Sequence, residues 1–266
     1  MKASDLRKLY LSVINLYGFV FSDELFEILD HYGISYKKEQ ILKDLLDRST
    51  KMTRGYAVEE IDSSNYIIYD FDYTGEELEK LYSFKKGKKR YYPKTYEYLL
   101  QYSNYYFKDE KDQNAFNNLF QFLRRHSKES ESKLSTLIDV MIISIKKSID
   151  LKINQFFELL DLFDIEFPNQ KTVEKFLNII QNVANDVRIP SNNGFTPIEM
   201  QKMAGPIDMN NVALSIGPNM RRDFLSGKLD PYKFLSDLDN YNLPPAAKES
   251  FRKELLEIIE EIERNK

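Results

Sequence analysis

The chain contains no cysteine and no tryptophan, and it has only two histidines, His31 and His126, far apart in sequence. Without cysteine there are no disulfides and no thiolate metal sites, and two distant imidazoles are too few for a zinc or iron centre. His31 falls where a helix closes and reads as a partner for that helix's C-terminal dipole. Glycine and proline are sparse, at nine each. No GxxxxGK or GxGxxG phosphate loop occurs, and no GxSxG nucleophile elbow. No apolar run approaches the ~20 residues that span a bilayer. The first eighteen residues carry scattered charges and no small-residue cleavage site, so no signal peptide is expected. Asp161, Asp164 and Glu166 lack the spacing of a calcium loop and read as solvated surface. These absences predict a non-enzymatic protein with no cofactor and no membrane contact, cytoplasmic by default.

Aromatic residues, by contrast, are abundant, with 18 Tyr and 18 Phe in 266 residues. With 42% hydrophobic and 30% charged residues the chain is globular, not disordered. The net charge of −4 gives no global pull on nucleic acid or an anionic membrane.

Along the chain, residues 4–17 form an amphipathic pattern closed by Gly18. Phe19–Phe21 reads as a short extended link. Ser22 is placed to cap a second helix and Ser35 a third. Residues 54–58 and 66–69 read as two strands joined by the polar turn Asp62-Ser63-Ser64-Asn65. Three helices followed by a hairpin predict a winged-helix-like domain over residues 1–92, within a mainly α (α+β) protein whose remainder, 93–266, is an all-α helical domain. In a winged helix the third helix reads a DNA groove, which makes Lys37, Lys38 and Lys43 candidate nucleic-acid contacts. Over residues 1–90, however, 15 Lys and Arg face 16 Asp and Glu, a poor supply for neutralising phosphate. Winged helices also serve as protein-interaction modules.

The sharpest charge run is Lys85, Lys86, Lys88, Lys89 and Arg90, followed directly by Tyr91 and Tyr92. It reads either as a solvated loop between subdomains or as a single-stranded nucleic-acid contact, with cations tracking phosphate and rings stacking on bases. A helix predicted over Thr95–Phe107 puts Tyr98, Tyr102, Tyr105 and Tyr106 on one stripe. Asp70 and Asp72, alternating with aromatic residues, read as the outer face of a strand. From residue 110 onward, four segments show helical periodicity, broken at Ser127–Ser132 and Phe167–Gln170. Pro218, Asp230-Pro231 and Pro245 begin three further helices.

The most specifically punctuated stretch is Asn182–Met200. An apolar helix runs into Asn185-Asp186-Val187-Arg188, stops at Pro190, turns through Ser191-Asn192-Asn193-Gly194, and restarts at Thr196-Pro197-Ile198-Glu199. Thr196 and Glu199 have the spacing of a capping box, Pro197 suits the first helical position, and Gly194 permits a positive φ. Arg188, with its fork of donors, either clamps this turn or holds an anion or a partner carboxylate. The pattern Asn-x-x-Arg, a Gly, then Thr-Pro-x-Glu resembles one in a group of poorly characterised bacterial proteins that often end in a SecA-C-terminal-like zinc module. YGFVFSDELFEIL and KKRYYPKTYEYLLQYSNYYF are similar to their front part. This chain departs from them: Val187-Arg188-Ile189-Pro190 stands where they show Thr-Arg, a hydrophobic residue and Trp. Lacking cysteine, it also lacks the zinc module, so metal binding does not carry over. The expected function is a regulatory or adaptor role through protein contacts, the alternative being nucleic-acid binding through the third helix, the hairpin and residues 85–92. Nothing in the sequence names the partner or the oligomeric state.

Overall fold

The computed structural model describes residues 2–50, 55–62, 65–148, 152–205, 215–241 and 243–264. Ser63 and Ser64 of the hairpin turn and Lys51–Arg54 before it lie outside the described residues. The chain divides into two compact units, Met1–Gln201 and Lys202–Lys266.

The first unit begins with α1 (Ala3–Tyr17), β1 (Phe19–Phe21), α2 (Ser22–His31), α3 (Lys38–Ser49), β2 (Ala57–Asp62) and β3 (Asn65–Tyr69). The strands form one antiparallel sheet in the order β1-β3-β2. This helix–strand–helix–helix–hairpin order, with the first strand against the last, is winged-helix topology. Phe19–Phe21 is therefore a strand and not a link. Its pairing residues, Ile67–Tyr69, lie too far along the chain for local pattern to reveal them. Apolar faces of α1, α2 and α3 bury Leu9, Tyr10, Leu25, Ile28 and Leu45 against Ile68 of the sheet.

Two expected caps are replaced by tertiary contacts. The Ser22 hydroxyl accepts from the Tyr66 amide at 3.2 Å, and Glu24 instead accepts from the Phe21 amide at 2.9 Å. Ser35 does not start α3, because Tyr36 stacks on Phe26 at 5.6 Å and Lys37 stays extended, delaying the helix to Lys38. Asp70 and Asp72 lie beyond β3 and are not its outer face. Asp70 is buried, and both carboxylates hold the Lys147 ammonium at 2.7 Å.

Next come α4 (Gly75–Lys85), α5 (Tyr96–Gln101), α6 (Glu110–Arg124), α7 (Glu131–Lys147), α8 (Ile153–Leu162), α9 (Gln170–Asp186) and the start of α10 (Pro197–Ala204). Helix α5 is shorter than its periodicity predicts. Tyr98, Tyr102 and Phe107 close into an edge-to-face cluster, while Tyr105 turns to the Lys147 ammonium and Tyr106 is exposed. Leu99 and Tyr102 belong to the same core as α1, so the chain shows no packing break at residue 92. Helices α6–α9 build a second core around Leu119, Leu137, Met141, Phe156, Phe176 and Ile180. The two cores are joined by the Asp70–Lys147–Asp72 bridge.

Gly18 holds the turn from α1 into β1 at φ 77°, where a Cβ would lie 2.7 Å from Leu81 and 3.0 Å from Pro190. Both the backbone conformation and the close approach require glycine here. Gly18→Ala is expected to lose about 2–4 kcal/mol, read as a lower urea midpoint.

The second unit contains α11 (Pro218–Leu225), α12 (Pro231–Asp237) and α13 (Pro245–Arg264), packed around Ile216, Phe224, Leu255 and Ile258. As predicted, Asp230 caps α12, accepting from the amides of Tyr232 at 2.9 Å and Lys233 at 3.2 Å. Among the described residues, no helix is long and apolar enough to cross a membrane.

Candidate functional site

The two stretches that stand out in the sequence, 85–92 and 185–199, meet in the first unit. Helix α4 starts at a reciprocal cap. The Thr74 hydroxyl accepts from the Glu77 amide at 3.3 Å, and the Glu77 carboxylate accepts from the Thr74 amide at 2.9 Å. Its inner face buries Leu81 and, one turn later, Lys85. The Lys85 ammonium donates to the carbonyls of Tyr17 at 2.9 Å and Phe19 at 2.7 Å, and lies 3.7 Å from the centre of the Phe19 ring. It thus satisfies the last carbonyl of α1 and an outward carbonyl of β1. Burial pushes its pKa down to about 7, with the Glu24 carboxylate opposing that shift.

After Gly87, residues 88–91 lie against 191–193. The Lys88 ammonium donates to the Ser191 carbonyl at 3.0 Å and to Asn192 Oδ1 at 2.8 Å; Asn193 Nδ2 donates back to the Lys88 carbonyl at 3.1 Å. The Tyr91 amide donates to the Asn193 carbonyl at 3.0 Å. Arg90 is buried, paired with Glu24 and 3.5 Å from Glu27, with its guanidinium over the Tyr17 ring. Tyr92 stacks on His31 at 3.8 Å.

Arg188 organises the other side. Its Nε donates to Asp109 at 3.1 Å, and Nη1 donates to the Gly194 carbonyl at 3.1 Å and to Glu199 at 2.8 Å. Its second terminal nitrogen donates to the other Glu199 oxygen at 3.3 Å. The guanidinium lies 3.5 Å from the centre of the Tyr91 ring. Asp109 also caps α6 through the Asp112 amide at 2.9 Å and accepts the Tyr102 hydroxyl at 2.7 Å. The capping box forms as expected, with Glu199 N to Thr196 Oγ1 at 3.1 Å and Thr196 N to Glu199 at 3.0 Å. Gly194 takes φ 81° and sits so close to α1 that a Cβ would meet Tyr17 at 3.0 Å. Arg188 is therefore a clamp for the turn, holding two carboxylates and a backbone carbonyl. Asn185 is half-buried and is not among its partners.

Beside this junction runs a groove of about 650 Å³ between β1, α2 and α4. One wall is aromatic: Phe19, Phe21 and Tyr82 meet at ring separations of 5.6–6.4 Å. The other wall carries five cations, Lys85, Lys86, Lys88, Lys89 and Arg90, against the carboxylates of Glu24 and Glu27. Two buried polar atoms on this wall, Arg90 Nε and Asn193 Oδ1, have no hydrogen-bond partner. The aromatic wall continues into an apolar trough of about 480 Å³ bounded by Ile67 and Leu78.

The burial of Lys85 and Arg90 removes them from the candidate nucleic-acid contacts, and Lys88 is engaged by the turn. Lys86 and Lys89 are exposed and have no ion-pair partner among the described residues. Lys37, the extended residue before α3, and Lys38 and Lys43 on α3 are exposed, with Lys38 3.8 Å from Asp23. The beginning of the wing, by contrast, exposes Glu59, Glu60 and Asp62. Sequence reasoning missed the aromatic wall, because Phe19 and Phe21 lie far along the chain from Tyr82. It also missed Lys85, for which there was a signal: Lys85 follows Leu81 by one helical turn and so shares its buried face. Among the described residues, no group of three or more His, Cys, Asp or Glu is placed to hold a metal ion. No protein-family model matches this chain, and no curated protein or solved structure matches it significantly.

Proposed function

We propose that this chain is a non-enzymatic regulatory or adaptor protein that works through protein contacts, its winged-helix-like part serving as a scaffold for a partner and not as a reader of DNA. The observation that carries this reading is where the cations go. Phosphate neutralisation supplies most of the affinity of nucleic-acid binders. Here the wing strand β2 presents acidic side chains, and Lys85, Lys88 and Arg90 of the basic run are held by carbonyls, an amide and carboxylates of the chain itself. The groove leaves an aromatic wall open, and aromatic side chains are enriched at the centres of protein interfaces.

Fluorescence anisotropy with a labelled duplex and a labelled single strand at low salt tests this. The expected result is no saturable binding of either. Binding that saturates, weakens steeply with salt and disappears when Lys37, Lys38 and Lys43 become Ala would replace the adaptor reading with the nucleic-acid one.

A further inference from the structure

We infer that the groove between β1 and α4 takes a peptide segment of a partner, one in which an apolar side chain stands next to an acidic one. This inference rests on the protein-contact reading and specifies its ligand.

The groove wall divides into what is engaged and what is presented. The Arg90 and Asn193 side chains are 8% and 5% exposed and are held by Glu24 and by the Lys88 carbonyl, so they shape the wall and are not presented to a ligand. What the groove presents is two ammonium groups without an ion-pair partner among the described residues, beside three rings, which complement a segment carrying a carboxylate next to an apolar side chain.

The neighbouring surface selects the side chains. Lys86 and Lys89 supply charge that the chain does not use, which fits a carboxylate. Phe19, Phe21 and Tyr82 supply an apolar wall, with Tyr82 48% exposed, and the trough toward Ile67 and Leu78 extends it. The segment does not bind by adding a strand to the sheet. On the outer edge of β1 the Phe19 carbonyl already accepts from Lys85 and the Phe21 amide already donates to Glu24. Recognition therefore falls to the side chains.

The test is selection of a random heptapeptide display library on the full chain, followed by anisotropy with the most enriched peptide, labelled. The expected motif places Asp or Glu beside Leu, Ile, Met or Phe. Affinity should fall about tenfold or more in Lys86→Glu/Lys89→Glu and in Tyr82→Ala, all at exposed positions whose substitution leaves the core intact. Circular dichroism and melting of each variant confirm that it is folded. No enriched motif, a motif without an acid, or affinity unchanged in folded variants would overturn the assignment. If nucleic acid also fails to bind, only the groove assignment falls and the protein-contact reading stands. If duplex or single strand binds as described above, the protein-contact reading itself falls.

Discussion

Arg188→Met is expected to destabilise the first unit by about 3–5 kcal/mol, because it leaves two carboxylates facing each other without their cation. Asp109 is 4% exposed, and its oxygens already serve the α6 cap and the Tyr102 hydroxyl. The Glu199 side chain is 29% exposed, so water relieves part of its loss and most of the penalty falls on Asp109. In a unit of this size the change lowers the melting temperature by on the order of 10 °C. Scanning calorimetry reads it directly. Arg188→Lys should fall between the two, since an ammonium keeps the charge but cannot reach Asp109, Gly194 and Glu199 together. A double-mutant cycle with Asp109→Asn should show positive coupling, the second substitution costing less once the carboxylate has gone. Melting of Arg188→Met together with the parent protein would mean that the clamp carries no stability.

The second large effect belongs to Lys85. Lys85→Met keeps the aliphatic stem but leaves the carbonyls of Tyr17 and Phe19 without a donor, at about 1–3 kcal/mol each. Its size should depend on pH. The folded pKa, about 7, lies below the ordinary lysine value of 10.5, so between those values the unfolded chain binds more protons than the folded one. Stability contributed by Lys85 is therefore lost as pH falls from 10.5 toward 7 and grows as pH rises across that window. The destabilisation by Lys85→Met should accordingly be larger at pH 9 than at pH 7. Urea titrations of both proteins across this range check it; a difference that is flat or falls with pH would show that the two carbonyls and the Phe19 ring hold the ammonium charged. Measurement should stop below pH 10, where burial has raised the phenols of Tyr10 and Tyr17 and their own linkage begins to lower stability as pH rises.

These two residues show where sequence reading succeeded and where it ended. The Thr196–Glu199 box was legible because its hydrogen bonds are local and its residue types are the ones that satisfy a helix start. Gly194 was legible because a turn with positive φ favours glycine, although the ring of Tyr17 that forbids a Cβ there was not. Arg188 was recognisable as a clamp or an anion site, but the choice between them depended on Asp109, 79 residues earlier in the chain, which no local pattern links to it. The basic run was read as one feature, yet neighbouring residues in it have opposite fates. Lys85 points into the core and Lys86 into solvent, because Lys85 is the last residue on the buried face of α4 and the backbone leaves the helix at Lys86.

The sequence by itself determined which segments are helices, the hairpin, the starts of α10 and α12, and the absence of thiolate chemistry. Those follow from periodicity, capping and composition, which act over a few residues or none. Only the tertiary structure decided that Phe19–Phe21 is a strand, that 88–91 docks on 191–193, and that an aromatic wall stands beside two free lysines. Each of these rests on partners separated by tens of residues or more, whose pairing is set by how whole faces pack and not by any local signal.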